Sequence, residues 1–152
     1  MMELEVQRVI EGPGIPNDDQ FRRWMAQVLK DDSSSVVNVR IVDQAEGWAL
    51  NKQWRGKDSA TNVLSFPASV PELDGVRILG DIVLCVPVIE REAAEQGKAL
   101  EAHWAHLVIH GLLHLLGFDH IEAEHARTME SREIDILTDL GYANPYEPTH
   151  AD

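Results

Sequence analysis

Residues 110–120, H-G-L-L-H-L-L-G-F-D-H, restrict the architecture more than any other stretch of the chain. Three histidines stand at i, i+4 and i+10, and Gly117 falls between the second and the third. Residues four apart share one face of a helix, so His110 and His114 can aim two imidazoles at a single point. Gly117 lies three residues further on, where a glycine can take the left-handed conformation that ends a helix. The chain can then turn back and bring His120 to the same point. Three neutral imidazoles leave one tetrahedral position open, as in a catalytic rather than a structural zinc site.

The stretch resembles the signature H-E-x-x-H-x-x-G-x-x-H of the metzincin peptidases. It departs from that signature at Gly111, where those enzymes carry the glutamate that acts as general base. The metal cage is kept and the base is missing. Gly111 admits two readings: space beside a metal for a bulky phosphate, or close packing of the helix. His103 and His106 continue the same stripe in the preceding turns. The ligand set is complete without them, so both are expected to be structural.

Hydrophobic periodicity supplies the scaffold around this helix. Leu4, Val6 and Val9 mark a first strand within residues 2–10. Asn17 or Asp18 can cap a helix running to about Lys30, with Phe21, Trp24, Met25 and Leu29 inward. A strand over 36–43 follows, then a short helix over 44–54 with Ala45, Trp48, Ala49 and Trp54 as its inner face. Residues 55–62 read as a polar loop and 63–67 as a strand that Pro67 ends. Residues 70–76 read as loop, and 77–86 as a buried strand in which Cys85 is a small hydrophobe. Helices are expected from Pro87 to about Glu95, over 101–116 and over 121–140. Ala126, Met129, Ile134 and Leu137 form the expected core face of the last. The order β-α-β-α-β-β-α-α-α predicts a single α+β (α/β-like) domain over residues 1–143. It has a small, mixed, four-stranded sheet and about five helices, and residues 144–152 form a loose C-terminal tail.

Charge bears on the partner. A net charge of −13 gives no overall attraction to nucleic acid, whose binding is driven largely by neutralising phosphates. An RNA contact would need a local basic patch, and Lys52, Arg55 and Lys57 offer one within six residues. The same cluster is also consistent with an ordinary solvated loop. One cysteine excludes an internal disulfide framework and fits a reducing compartment. No basic segment followed by an apolar one opens the chain, and no apolar run reaches membrane-spanning length. A cytoplasmic protein is expected.

Three stretches together resemble the YbeY family of bacterial endoribonucleases, also called rRNA maturation factors. They are R-G-K-D-S-A-T-N-V-L-S-F-P (55–67), L-G-D-I-V-L-C (79–85) and H-G-L-L-H-L-L-G-F-D-H (110–120). The resemblance in element order covers nearly the whole chain except its C-terminal tail. It implies a zinc-dependent endoribonuclease directed at single strands, acting at the 3′ end of small-subunit rRNA and in ribosome quality control. It implies as partners rRNA and the small ribosomal subunit or its assembly factors, with no membrane and no DNA. Carried over residue by residue, one zinc ion falls on His110, His114 and His120, and the family's functionally important arginine falls on Arg55.

The residues fit that chemistry. Hydrolysis of a phosphodiester builds negative charge on the non-bridging oxygens, and a guanidinium answers it with a planar fork of donors. Arg55 suits this catalytic role, and Lys57 is a candidate substrate-binding charge beside it. Asp119 can orient an imidazole or cap the next helix. No residue stands out as general base. Two other classes share part of the pattern: a metallopeptidase-like hydrolase, and a non-catalytic ribosome-assembly factor in which zinc joins the last two helices.

Overall fold

A computed structural model describes residues 2–30, 34–56, 61–70, 72–118 and 122–146. Ten elements follow in order: β1 (Glu3–Arg8), α1 (Asp18–Leu29), β2 (Ser35–Val42), α2 (Gln44–Arg55), β3 (Val63–Pro67), β4 (Glu72–Leu73), β5 (Val76–Cys85), α3 (Val86–Gln96), α4 (Leu100–Leu115) and α5 (Ala123–Asp139). The strands form one mixed sheet in the order β1-β2-β5-β3, with β4 paired to β5. β1, β2 and β5 run parallel, and β3 and β4 run antiparallel to β5. A single α+β domain with five helices and a mixed sheet is what the sequence predicts.

The strand beyond the expected four is β4. Leu73 pairs with Val76 across Asp74 and Gly75, whose φ values are +52° and +80°. Two positive-φ residues make the primed turn that matches the twist of a tight hairpin. The Asp-Gly dipeptide was the available signal, hidden in a stretch that reads as loop.

Caps explain where the helices begin. Asn17 Oδ1 accepts from Gln20 N at 2.9 Å while Gln20 Oε1 accepts from Asn17 N at 3.0 Å, a reciprocal pair that satisfies two orphan donors of α1. The expected inner face, Phe21, Trp24, Met25 and Leu29, is buried. It packs with Val37, Val39 and Ile41 of β2 and Trp104, Val108 and Leu112 of α4 in the main core. A second, smaller cluster of Val42, Leu64, Val83, Cys85 and Val88 lies with Leu50 and Phe66. Alternate residues of β2, β3 and β5 therefore serve two faces: α1 and α4 cover one, and α2 covers part of the other.

Two helix faces differ from expectation. Trp48 and Trp54 of α2 are exposed, as are Ala45 and Ala49, and the helix turns Gly47 and Asn51 inward instead. Gly47 is the reason: a Cβ there would lie 2.9 Å from Cys85 Sγ, so the backbone itself seats on β5. Lys52 Nζ lies 4.8 Å from the Trp48 ring centre, a cation–π contact that covers the ring at the surface. In α5 the buried residues are Met129, Glu133, Ile136 and Leu137, and Ile134 is only half-buried.

The strand β5 needs Gly80. Its φ is +130°, and a Cβ would meet Phe66 O at 2.2 Å. The register with β2 slips here, from Val36 opposite Ile78 to Val37 opposite Gly80. The extra residue lets both Leu79 and Ile82 reach the main core.

Candidate metal centre

The helix α4 is uniformly apolar on the side that meets the sheet, and it comes very close. A Cβ on Gly111 would stand 3.1 Å from Ile82 Cγ2 and Ser65 Oγ and 3.2 Å from Val63 Cγ2. Ser65 Oγ donates to Gly111 O at 2.9 Å. Of the two readings of Gly111, close packing against β3 and β5 is the one observed. A side chain there would have to push Ile82, Ser65 and Val63 aside.

The other side of α4 carries four histidines. His103 Nε2 lies 3.0 Å from Glu92 Oε1 of α3, and Asn62 Nδ2 donates to the same oxygen at 2.9 Å. Burial lowers the pKa of His103, against the pull of Glu92. The structural role expected of His103 fits these contacts. His106 Nε2 and His110 Nδ1 meet a single atom, Glu133 Oε1 of α5, at 3.0 and 2.9 Å. The Tyr146 hydroxyl donates to Glu133 Oε2 at 2.6 Å.

Glu133 is fully buried, and its charge state decides how this network is read. Burial pushes its carboxyl upward, but hydrogen bonds from His106, His110 and Tyr146 outweigh that effect and hold it at about 2. The carboxylate is ionised and can only accept, so both imidazoles donate to it. With Nδ1–H donated to Glu133, the other ring nitrogen of His110, Nε2, is the one turned away from the carboxylate. That nitrogen lies 3.1 Å from His114 Nε2, with the rings 4.6 Å apart and crossed at 81°.

The helix ends as the spacing predicts. Gly117 has φ +102°, its N donates to His114 O at 3.0 Å, and Phe118 N donates to Leu113 O at 3.0 Å. His120 and Asp119 lie outside the described residues, as does Lys57. Arg55 is the last residue of α2, exposed, and capped by Gly56 with φ +68°. Its neighbour Trp54 lines a cavity of about 950 Å³ with Asn38, Arg40, Leu50, Phe66 and Asp81. This puts the end of α2 on the sheet face opposite α4.

Among the described residues, His106, His110 and Glu133 offer ligand atoms that all lie within 4.8 Å of one another, close enough to hold a metal ion. Sequence reasoning took His106 as structural and missed Glu133. Glutamate in a helix with an otherwise polar surface gives no sign of burial, and the only local signal is its spacing with Met129, Ile136 and Leu137.

The model of the family described as Endoribonuclease YbeY matches residues 13–141. This chain belongs to the YbeY family. Curated YbeY relatives extend the match almost end to end. The Endoribonuclease YbeY of Pseudomonas fluorescens is 55% identical over 148 residues, covering 96% of this chain and 97% of that one. The Endoribonuclease YbeY of Pseudomonas putida F1 is 56% identical over 154 residues, covering 100% and 98%. The solution structure of a Thermotoga maritima protein superposes with a TM-score of 0.59 at 25% identity, covering 97% of this chain and 99% of that one. No helix among the described residues of this YbeY chain is long and apolar enough to cross a membrane.

Proposed function

We propose that this chain is a zinc-dependent endoribonuclease that cuts single-stranded RNA, with one zinc ion held by His110, His114 and His120. One observation supports the ligand set more than any other: the two Nε2 atoms of His110 and His114 lie 3.1 Å apart while Glu133 takes the Nδ1 proton of His110. Zinc–imidazole bonds of roughly 2.0–2.1 Å at tetrahedral angles set two ligand nitrogens about 3.3 Å apart. The spacing of these two nitrogens is therefore close to the one a zinc ion would need. The cluster of His106, His110 and Glu133 offers a second ligand set. We place it second because Glu133 Oε1 accepts hydrogen bonds from both imidazoles, which suits it to orienting His110.

Zinc bound there supplies a Lewis acid and an activated water near neutral pH. The chain's own residues do the remaining work. Glu133 fixes the tautomer and ring orientation of His110. By its match to the family's arginine, Arg55 is assigned as the catalytic cation on the phosphoryl oxygens, and Lys57 is assigned as a second contact to the RNA backbone. Because the end of α2 lies on the sheet face opposite α4, this role requires the RNA to cross the edge of the sheet between them. With a net charge of −13, binding relies on these local cations and not on the overall field. Gly111 is packed against β3 and β5, and the chain lacks a glutamate there, which argues against the metallopeptidase reading. The family's name supports RNA as substrate. Its known setting makes the 3′ end of small-subunit rRNA, ribosome quality control, a small-subunit or assembly-factor partner and the cytoplasm the proposed context.

Elemental analysis paired with cleavage of RNA against casein, for wild type and Arg55→Ala, tests this reading. Stoichiometric zinc with metal-dependent RNA cleavage that Arg55→Ala loses is expected. Bound zinc with no turnover of RNA would make the protein an assembly factor, and casein cleavage would make it a peptidase.

A further inference from the structure

We propose that Tyr146 is a positioning residue for the metal-facing imidazole of His110, acting through Glu133. The inference rests on His110 being a ligand. A carboxylate turns easily about its last torsion, which is broad and roughly two-fold. Glu133 Oε1 is shared between His106 Nε2 and His110 Nδ1, and this one-atom attachment leaves the plane of the group free to swing. The Tyr146 hydroxyl holds the other oxygen, Oε2, at 2.6 Å. Two-point attachment fixes the plane, and with it the direction in which Oε1 receives the His110 proton. The direction of His110 Nε2 follows from that of Nδ1, because the imidazole is rigid.

Tyr146 is itself held from several sides. Its backbone N donates to Asn144 Oδ1 at 2.8 Å, and Lys98 Nζ donates to Pro145 O at 3.1 Å. Its ring stands edge-on to His106, with centres 5.4 Å apart at 83°. The segment expected to be a loose tail is therefore tied down over residues 144–146, and it reaches back across both α4 and α5. A hydroxyl donated to a buried carboxylate from an anchored ring has a simple use: it keeps Glu133 from following His106 instead of His110.

The test uses the full chain. Tyr146→Phe keeps the ring against His106 and removes one donor to the buried Glu133 carboxylate, so the zinc-free protein should stay folded with a modestly lowered melting temperature. Zinc affinity, measured by competition with a chromophoric chelator, should fall about tenfold, at the lower end for loss of an outer partner of a ligand. In the zinc-free protein, ring ¹⁵N shifts of His110 should move from a single Nδ1–H tautomer toward a mixture. Glu133→Gln should weaken zinc by at least as much. Adding Tyr146→Phe to it should then cost zinc affinity little further, because Tyr146 reaches His110 only through that carboxylate, its other hydroxyl contact being His106 Nε2 at 3.3 Å. Unchanged zinc affinity in Tyr146→Phe, or losses that add in the double variant, would overturn the proposal. His114→Ala separates this from the ligand assignment: retention of zinc there removes the assignment itself, whatever Tyr146 does.

Discussion

In the first half of α4, His103 and His106 each turn a ring nitrogen to a carboxylate, Glu92 on α3 and Glu133 on α5, both at 3.0 Å. One turn further, His110 and His114 turn Nε2 toward each other at 3.1 Å. All four lie along one side of the same helix, so spacing alone does not sort them. The neighbour does. A carboxylate opposite an imidazole accepts its N–H and so fixes which nitrogen carries the proton, whereas His110 and His114 turn Nε2 toward one another. His110 belongs to both groups, giving Nδ1 to Glu133 and turning Nε2 to His114.

The largest expected effect breaks this contrast where it is sharpest. His114→Ala should lose stoichiometric zinc, since two imidazoles bind far more weakly than three; elemental analysis after gel filtration reads it. Equal zinc in variant and wild type would end the distinction between the two halves. Arg55→Lys asks next whether the second half of α4 suffices for chemistry. A lysine keeps the charge and loses the bidentate fork. RNA cleavage should fall by about 10²–10³-fold, the usual effect of removing a donor aimed at developing charge, with zinc content and melting unchanged. Full activity in the lysine variant would leave the metal to act without that side chain.

Metal removal sharpens the comparison at the level of stability. In the proposed ligand set zinc would tie the end of α4 to His120, and most of the core lies elsewhere. A chelator should lower the melting temperature without unfolding the domain. Hydrogen exchange should speed up in amides from His110 to Phe118 and stay unchanged around His103, which Glu92 holds in either state. Complete unfolding at room temperature would contradict this. The smallest effect on the metal is expected from His103→Ala. It should keep stoichiometric zinc while losing about 1–3 kcal/mol of stability, because it removes a buried partner from Glu92; chemical denaturation and elemental analysis check both halves of that statement.

Much of this was readable in the sequence because it depends on local chemistry. Asn17 and Gln20 state their cap, Gly117 states its turn, and the alternation of Val37, Val39 and Ile41 states a half-buried strand. What escaped depends on partners distant in sequence. The inward face of α2 was misread because Gly47 meets Cys85, 38 residues away by the numbering, and the bulky tryptophans suggested burial that a glycine contact made unnecessary. Glu133 escaped for the same reason: a charged residue is buried only when donors await it, and its donors come from α4 and from Tyr146. The shape of α4's histidine stripe was legible; which of its members faced a carboxylate was not.

The kink at Gly80 has a consequence for anyone who surveys variants of this chain by activity alone. Any side chain there would collide with the carbonyl of Phe66 at 2.2 Å, so every substitution should score as inactive. Gly111, tight against the side chains of Ser65 and Ile82, should reject large side chains. In a saturation library both would rank beside the histidines, though neither has a side chain to offer metal or RNA. Counting soluble, folded protein next to activity is what divides such positions from the ligands: the glycine variants should disappear from the soluble fraction, and His114→Ala should stay in it.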